Sequence, residues 1–263
     1  MRKTVLITGA EGLIGSHLQV VLAQQYDLRL ITLQPVPDLE SIVVDITNLE
    51  ALLPAFQGVD SIIHLAGSSA VDSSWDDVLQ NNIVGSYAVF EAAHRSGVQQ
   101  IIYASSNHAV GGYEMELAPD LYRPGHAKID HLVPTRPDSL YGVSKCFGES
   151  LGRFYADQKH MRVICLRIGT INREDSPMGA SIAEMNQWLP TRELRYERAS
   201  TTWQSQRDFA QLVEKCLEAT HVKFDIFYGI SNNPHRFFDL EHARDVLGYE
   251  PQDQPPGGVS GQK

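Results

Sequence analysis

The chain has 263 residues, 43% of them hydrophobic and 21% charged, with a formal net charge of −10 at pH 7. That length suits one large domain, or one domain with a smaller appendage. The acidic balance argues against a nucleic-acid partner, which needs clustered Lys and Arg on its surface.

No apolar stretch approaches the ~20 residues that span a bilayer. Behind Met1-Arg-Lys, the residues Gly9, Glu11, Gly12 and Gly15 break the apolar run that a signal peptide would need. Cys146, Cys165 and Cys216 have no metal-ligand spacing and cannot all pair, which fits a reducing compartment. A cytoplasmic protein with no metal centre is expected.

The first element, Thr4 to Thr8, is a short β-branched run of the kind that forms a buried strand. Gly9-Ala-Glu-Gly12-Leu-Ile-Gly15 follows at once and opens a helical pattern from Leu13 to about Gln25. Strand, glycine loop and helix in that order are the context a dinucleotide fingerprint requires. Gly9 would make the tight turn, Gly12 would let backbone amides approach a pyrophosphate, and Gly15 would let helix pack on strand. The phosphates would then meet the free N–H groups of the helix N-terminus.

Strand and helix patterns alternate from there: strands at 28–33, 41–45, 61–65 and 100–104, helices at 49–56 and 76–96. A helix at 140–158 and a strand at 162–168 complete the series. This alternation predicts an α/β fold, a Rossmann-like doubly wound parallel sheet. Ligands of such sheets bind at the carboxyl ends of the strands. His64-Leu-Ala-Gly67 and Ser105-Ser-Asn-His108 fall there with the glycine loop. Residues 169–200 read as irregular, a lid or small subdomain. A helix at 208–218, a strand at 225–228 and a helix at 240–247 with Asp239 as N-cap follow. The division expected is a dinucleotide-binding domain over 1–168, a small C-terminal substrate-binding part over 169–250 and a mobile Pro/Gly-rich tail over 251–263.

On the helix at 140–158, Tyr141 and Lys145 lie one turn apart on one face. Val143, Phe147, Leu151, Phe154 and Tyr155 recur at helical spacing and predict a face anchored on the core. A free phenol titrates near ~10. A neighbouring ammonium favours the phenolate and moves the tyrosine toward general-base chemistry.

These residues together resemble the extended short-chain dehydrogenase/reductases, the NAD-dependent epimerase/dehydratase family. Gly9-x-x-Gly12-x-x-Gly15 has that family's spacing, and Ser106-Asn-His-Ala-Val-Gly111 matches its Ser/Thr-x-x-x-x-Gly stretch. Asn82-Ile-Val-Gly85-Ser86 matches a helix motif beside the nicotinamide end, with Ala88 where a second asparagine is usual. Ala104 to His108, Leu140 to Glu149 and Leu166 to Gly169 look like uronate dehydrogenases. Thr202 to Phe209, Phe227 to Ser231, Phe238 to Leu240 and Gly248 to Asp253 look more like archaeal-type NAD-dependent glucose-6-phosphate dehydrogenases.

The resemblance implies oxidation of a cyclic sugar, a uronic acid or a hexose 6-phosphate, at its anomeric carbon to a lactone. It makes Ser106, Tyr141 and Lys145 catalytic. It implies NAD contacts from Gly9, Gly12, Leu13, Ile14, Gly15, Thr32, Asp45, Ile46, Leu65, Ala66, Gly67, Asn82, Tyr141, Lys145 and Ile168, with Asp45-Ile46 at the adenine. It puts Ser69, Asn107, His108, Thr170 and Arg198 around the sugar, Arg198 offering a bidentate grip on an anion. The acidic residue that holds the adenosine ribose is absent near Thr32, and no basic residue stands there for a 2′-phosphate, so NAD is favoured with NADP still open. Arg207-Asp208-Phe209 resembles a nucleotide-sugar motif but also suits a helix start. Two other functions use the same residues: a nucleotide-sugar epimerase or dehydratase that keeps its NAD bound, and a non-catalytic dinucleotide-binding regulator. The family further implies a homo-oligomer acting on a small sugar, with no membrane partner.

Overall fold

The computed structural model describes residues 2–126 and 128–255. Its centre is a parallel sheet of seven strands: β1 (Thr4–Thr8), β2 (Asp27–Thr32), β3 (Ile42–Val43), β4 (Ser61–His64), β5 (Gln100–Ser106), β6 (Arg162–Ile168) and β7 (Phe224–Gly229). Their order is β3-β2-β1-β4-β5-β6-β7. The chain winds outward from β1 to one edge, returns to β4 and winds to the other, so the topological switch lies between β1 and β4. Register sets Thr8 beside His64 and Ser106 beside Ile168, which brings the loops that follow these strands to one edge.

The period-2 alternation of side chains along each strand divides the core between two faces. Val5, Ile7, Ile102, Ile164 and Leu166 point to one, where α1 (Leu13–Leu22) packs with Leu18 and Leu22. Leu6, Ile101, Tyr103, Val163 and Cys165 point to the other, against Leu52 and Phe56 of α2 (Leu49–Phe56). The helix expected at 76–96 forms in three parts: α3 (Trp75–Asp77), a π-helical stretch Val78–Val84, and α4 (Gly85–Arg95), whose Val89 and Phe90 join that second face. A short α5 (Gly111–Leu117) follows β5, and α6 (Leu140–Lys159) carries Tyr141 and Lys145. Ser139 caps α6 by accepting the Gly142 N–H at 3.0 Å.

The face of α6 that packs on the sheet matches the expected one in part: Tyr155 is in the core and Leu151 packs against it. Val143 and Phe154 are exposed, and the buried residues are Tyr141, Gly142, Ser144, Lys145, Gly148, Glu149, Gly152, Tyr155 and Ala156. Close approach explains the choice. A Cβ at Gly148 would stand 2.1 Å from the Tyr103 ring, and one at Gly142 would stand 2.4 Å from the His108 carbonyl oxygen. Small residues let the helix lie against β5, while Val143 and Phe154 turn outward.

Residues expected to be irregular hold α7 (Ala180–Glu184) and the eleven-residue α8 (Arg192–Thr202), capped by Thr191. Next come α9 (Gln206–Glu218) and, after β7, α10 (Glu241–Leu247). Phe209, Phe227, Phe238, Leu240 and Tyr249 from this part join the same core as Val5 and Ile7. Asp208 is the buried anchor of the α9 entry. Its carboxylate accepts from Ser231 Oγ and from the amides of Gln252 and Asp253, so the Arg207-Asp208-Phe209 motif serves the fold here. The same bonds hold Gln252 and Asp253, within the segment expected as a mobile tail, against the α9 entry; residues 256–263 lie outside the described residues. Asp239 accepts the Glu241 and His242 amides and so caps α10 as expected. All three cysteines are free, with Cys165 and Cys216 buried and Cys146 half-buried. Among the described residues no helix is long and apolar enough to cross a membrane.

Candidate active site

A cleft of about 1290 Å³ opens along the carboxyl ends of β1, β2, β4, β5 and β6. At one end Gly9, Gly12, Leu13, Ile14 and Gly15 line it, with Gly12 as the N-cap of α1. Gly9 has φ +69°, and a Cβ there would stand 2.9 Å from the Ala66 backbone; one at Gly15 would stand 2.4 Å from the Gly9 carbonyl oxygen. The loop is closed to side chains, and bare backbone faces the cleft at the helix N-terminus, the arrangement that suits a pyrophosphate. Thr32, Asp45, Ile46, Leu65, Ala66, Gly67 and Ile168 continue the wall, as the resemblance implies.

Asn82 does not line this wall; its neighbour Asn81 does. The Asn82 amide is buried and fully engaged in positioning. Its oxygen accepts the Ser68 N–H at 2.7 Å, and its nitrogen donates to Ser68 O at 3.0 Å and Ser144 Oγ at 2.9 Å. Ser144 Oγ in turn donates to the Tyr141 carbonyl oxygen at 2.7 Å. Asn82 therefore pins the 67–68 loop to the first turn of α6 from behind the cleft wall.

A carboxylate reaches the end of β2 from the glycine loop. Glu11, inside the glycine loop, accepts the Leu33 N–H at 2.9 Å and lines the cleft beside Thr32 and Leu33. Thr32 itself is buried and bonds Ser41 Oγ at 2.9 Å. Counting residues forward from the glycine loop looks for an acid on β2 and passes over one that reaches the same place from the loop.

At the other end Ser106, Tyr141 and Lys145 line one stretch of wall. Lys145 Nζ donates to the Ala104 carbonyl oxygen at 2.8 Å and lies 5.4 Å from the centre of the Tyr141 ring. Burial pushes its pKa down to about 8. Burial also pushes the Tyr141 phenol above its ordinary value, against a hydrogen bond with Ser106 that draws it down. Burial first, and the Asp138 charge after it, set the direction at Tyr141 rather than the lowering expected from the ammonium. Ser106 Oγ donates to Asn107 Oδ1 at 3.2 Å and accepts the His108 N–H at 3.2 Å. His108 is fixed by Asp138 through its Nδ1 at 2.7 Å and meets the Tyr141 ring edge-on at 5.8 Å. Burial works to raise the Asp138 pKa, but the bonds from His108 and Ser139 win and hold it low.

Ser69, Asn107, His108, Thr170 and Arg198 all reach the cleft. Arg198, however, is neither solvated nor free. It sits on α8, buried, with Nε and Nη2 donating to the two Glu114 carboxylate oxygens at 2.7 and 3.0 Å. Tyr122 donates to the same carboxylate at 2.7 Å. Glu184, Met185, Asn186, Gln187 and Trp188 from the segment around α7 close this end, residues that no motif identifies.

Known proteins give the site its context. The chain is 39% identical to the NAD-dependent glucose-6-phosphate dehydrogenase of Haloferax volcanii, over 96% of this chain and 94% of that one. It is 34% identical to the L-arabinose 1-dehydrogenase (NAD(P)(+)) of the same organism, over 95% and 96%. A tyrosine-to-alanine variant of uronate dehydrogenase from Agrobacterium tumefaciens, solved in complex with NAD, superposes with a TM-score of 0.78 at 31% identity, covering 99% of this chain and 93% of that one. Residues 5–219, which hold the glycine loop, Ser106, Tyr141 and Lys145, match the NAD dependent epimerase/dehydratase family. A doubly wound sheet, a glycine loop at a helix N-terminus and a buried Ser, Tyr and Lys on one cleft agree with that match, and the chain belongs to this family.

Proposed function

We propose that this protein oxidises a cyclic sugar at its anomeric carbon to a lactone, with NAD as the acceptor. The observation that carries the reading is the convergence of Ser106, Tyr141 and Lys145 on the cleft that begins at the glycine loop. NAD, when bound along this cleft, supplies the site that accepts the hydride. The chain's own groups do the rest. Tyr141, as phenolate, takes the proton of the anomeric hydroxyl while its C–H bond gives up hydride, and the ring carbon becomes the lactone carbonyl. Ser106 bonds the reacting oxygen and orients it. Lys145 stabilises the phenolate and bonds the nicotinamide ribose.

Within this reading residues 1–168 hold the cofactor and the catalytic groups, and 169–250 shape the sugar side. Ser69, Asn107, His108 and Thr170 hold hydroxyls of the sugar. Glu11 takes the place of the absent β2 acid at the adenosine ribose and favours NAD over NADP, since a carboxylate repels a 2′-phosphate. Arg198 holds Glu114 in place at the sugar end; it grips an anionic sugar only by loosening that pair. Glucose 6-phosphate, named for the Haloferax relative, is the first substrate to try. Neither the nucleotide-sugar epimerase nor the regulator reading is favoured, because the dehydrogenase relatives span nearly the whole chain.

The free cysteines support a cytoplasmic location. The exposed Val143 and Phe154 of α6 and Tyr87 of α4 support a homo-oligomer, and light scattering that returns a monomer mass would count against it. Absorbance of reduced cofactor with NAD or NADP and glucose 6-phosphate, glucuronate, galacturonate, L-arabinose and free hexoses tests the function. Turnover with at least one of these sugars and NAD is expected. No turnover with any pair would overturn the reading.

A further inference from the structure

A second cluster of ligating side chains lies away from the cleft, and none of its members lines it. Asp225 stands near the amino end of β7, whereas the cleft opens at the carboxyl ends of the strands. His242, in the first turn of α10, meets Asp225 Oδ1 through Nε2 at 2.9 Å. The His131 ring lies face to face on His242, 3.5 Å between centres and 5° between planes, and Phe227 covers the other face of His242 at 4.9 Å. One nitrogen of each histidine and one Asp225 oxygen all fall within 4.8 Å of one another.

Ring stacking and one hydrogen bond do not account for the whole cluster. His131 Nδ1 is sealed from solvent and has no hydrogen-bond partner. A buried polar atom left in that state costs about 1–3 kcal/mol. Phenylalanine in the same stack would avoid the cost. The unpaired nitrogen needs a partner that stacking does not provide, and a cation is one that takes a lone pair.

The local charge agrees. Burial, with His242 beside it, pushes the His131 pKa below its ordinary value. The other charges acting on it are the carboxylates of Asp225, Asp130 and Asp239. We propose that His131, Asp225 and His242 bind one divalent transition-metal ion of borderline softness, such as Zn2+, with water completing the coordination. Two imidazoles and one carboxylate suit Zn2+, Co2+ or Ni2+ rather than Ca2+ or Mg2+, which take oxygen ligands. The parallel rings hold their nitrogens side by side, so closing on one ion takes a turn of each ring about χ2, a soft torsion for histidine. Such an ion would clip the segment leading to α6 onto β7 and α10.

Untagged full-length protein, stripped with chelator, is titrated with Co2+ and followed by its visible absorption, then challenged with Zn2+. One Co2+ per chain, displaced by Zn2+, is expected, and X-ray absorption of the Co2+ form should count two imidazole ligands. His131→Phe keeps the ring stack and removes the ligand; Asp225→Asn removes the carboxylate charge. Each should weaken Co2+ binding by about tenfold or more, and Zn2+ should raise the melting temperature of wild type but not of folded His131→Phe. No saturable uptake at one ion per chain, fewer than two imidazoles on the bound ion, or equal binding by the folded variants would overturn the proposal.

Discussion

In the proposed function Glu11 supplies a role that the linear motif assigns elsewhere. Its carboxylate holds the Leu33 amide at 2.9 Å and faces the cleft at the end of β2, where the sequence has only Thr32 and apolar neighbours. Replacing Glu11 with alanine removes the charge that opposes a 2′-phosphate. The ratio of kcat/KM with NAD to that with NADP should then fall by about tenfold, equivalent to ~1.4 kcal/mol. An unchanged ratio would show that Glu11 has no part in cofactor choice. The glycines, Ser106, Tyr141 and Lys145 were legible in the sequence because each is tied to a local pattern, a strand end or a helical turn. Glu11 and Glu114 were not, because their roles arise from contacts across the fold: Glu11 to the end of β2, Glu114 to a helix 84 residues away.

Helix α8 was hidden for a related reason. Its buried face is Arg198, Ala199, Thr201 and Thr202, so the apolar period that marks α1 or α9 is missing from Arg192–Thr202. What holds this helix is polar: Arg198 against Glu114 of α5, with side chains only 3% and 5% exposed. Breaking such a pair strands a buried charge. Arg198→Met should therefore destabilise the protein by about 3–5 kcal/mol, and replacing both residues with apolar ones should recover part of that loss. Chemical denaturation of the three variants measures this, and a loss near zero for the single variant would show that the pair contributes nothing. The outward turn of Val143 and Phe154 on α6 has the same moral. Helical spacing identified an apolar stripe correctly but not which of its residues pack, because the glycines at 142, 148 and 152 decide how closely the helix can approach β5 and β6.

Across the whole molecule the doubly wound parallel sheet with a core on both faces was legible in the alternation of strand and helix patterns, whereas the strand order and the switch between β1 and β4 came only with the fold. His64 sits at the centre of this frame, joined to Thr8 of β1 at 2.8 Å and to Ser86 of α4 at 3.2 Å. Burial, helped by the charge on Lys145, pushes its pKa down to about 3. An unfolded chain takes up this proton near 6.5, the ordinary histidine value. Between those two values the unfolded state binds more protons, so stability is full above 6.5 and is lost as pH falls toward 3. Unfolding free energy measured against pH should fall less steeply in His64→Gln than in wild type, by up to about one proton's worth of slope. Identical slopes would mean that His64 is not held neutral by the fold.

We assign Tyr141 as the base of a sugar oxidation carried out at the far end of a dinucleotide cleft. Tyr141→Phe removes one oxygen from a buried ring and leaves Asn82 bonded to the Ser144 hydroxyl, and Ser144 and Lys145 bonded to their backbone carbonyls. Turnover and NAD affinity of this variant, measured side by side with wild type on the best sugar, test the claim most directly. A kcat lower by about 100-fold or more with NAD affinity nearly unchanged is expected. A kcat close to that of wild type would contradict it.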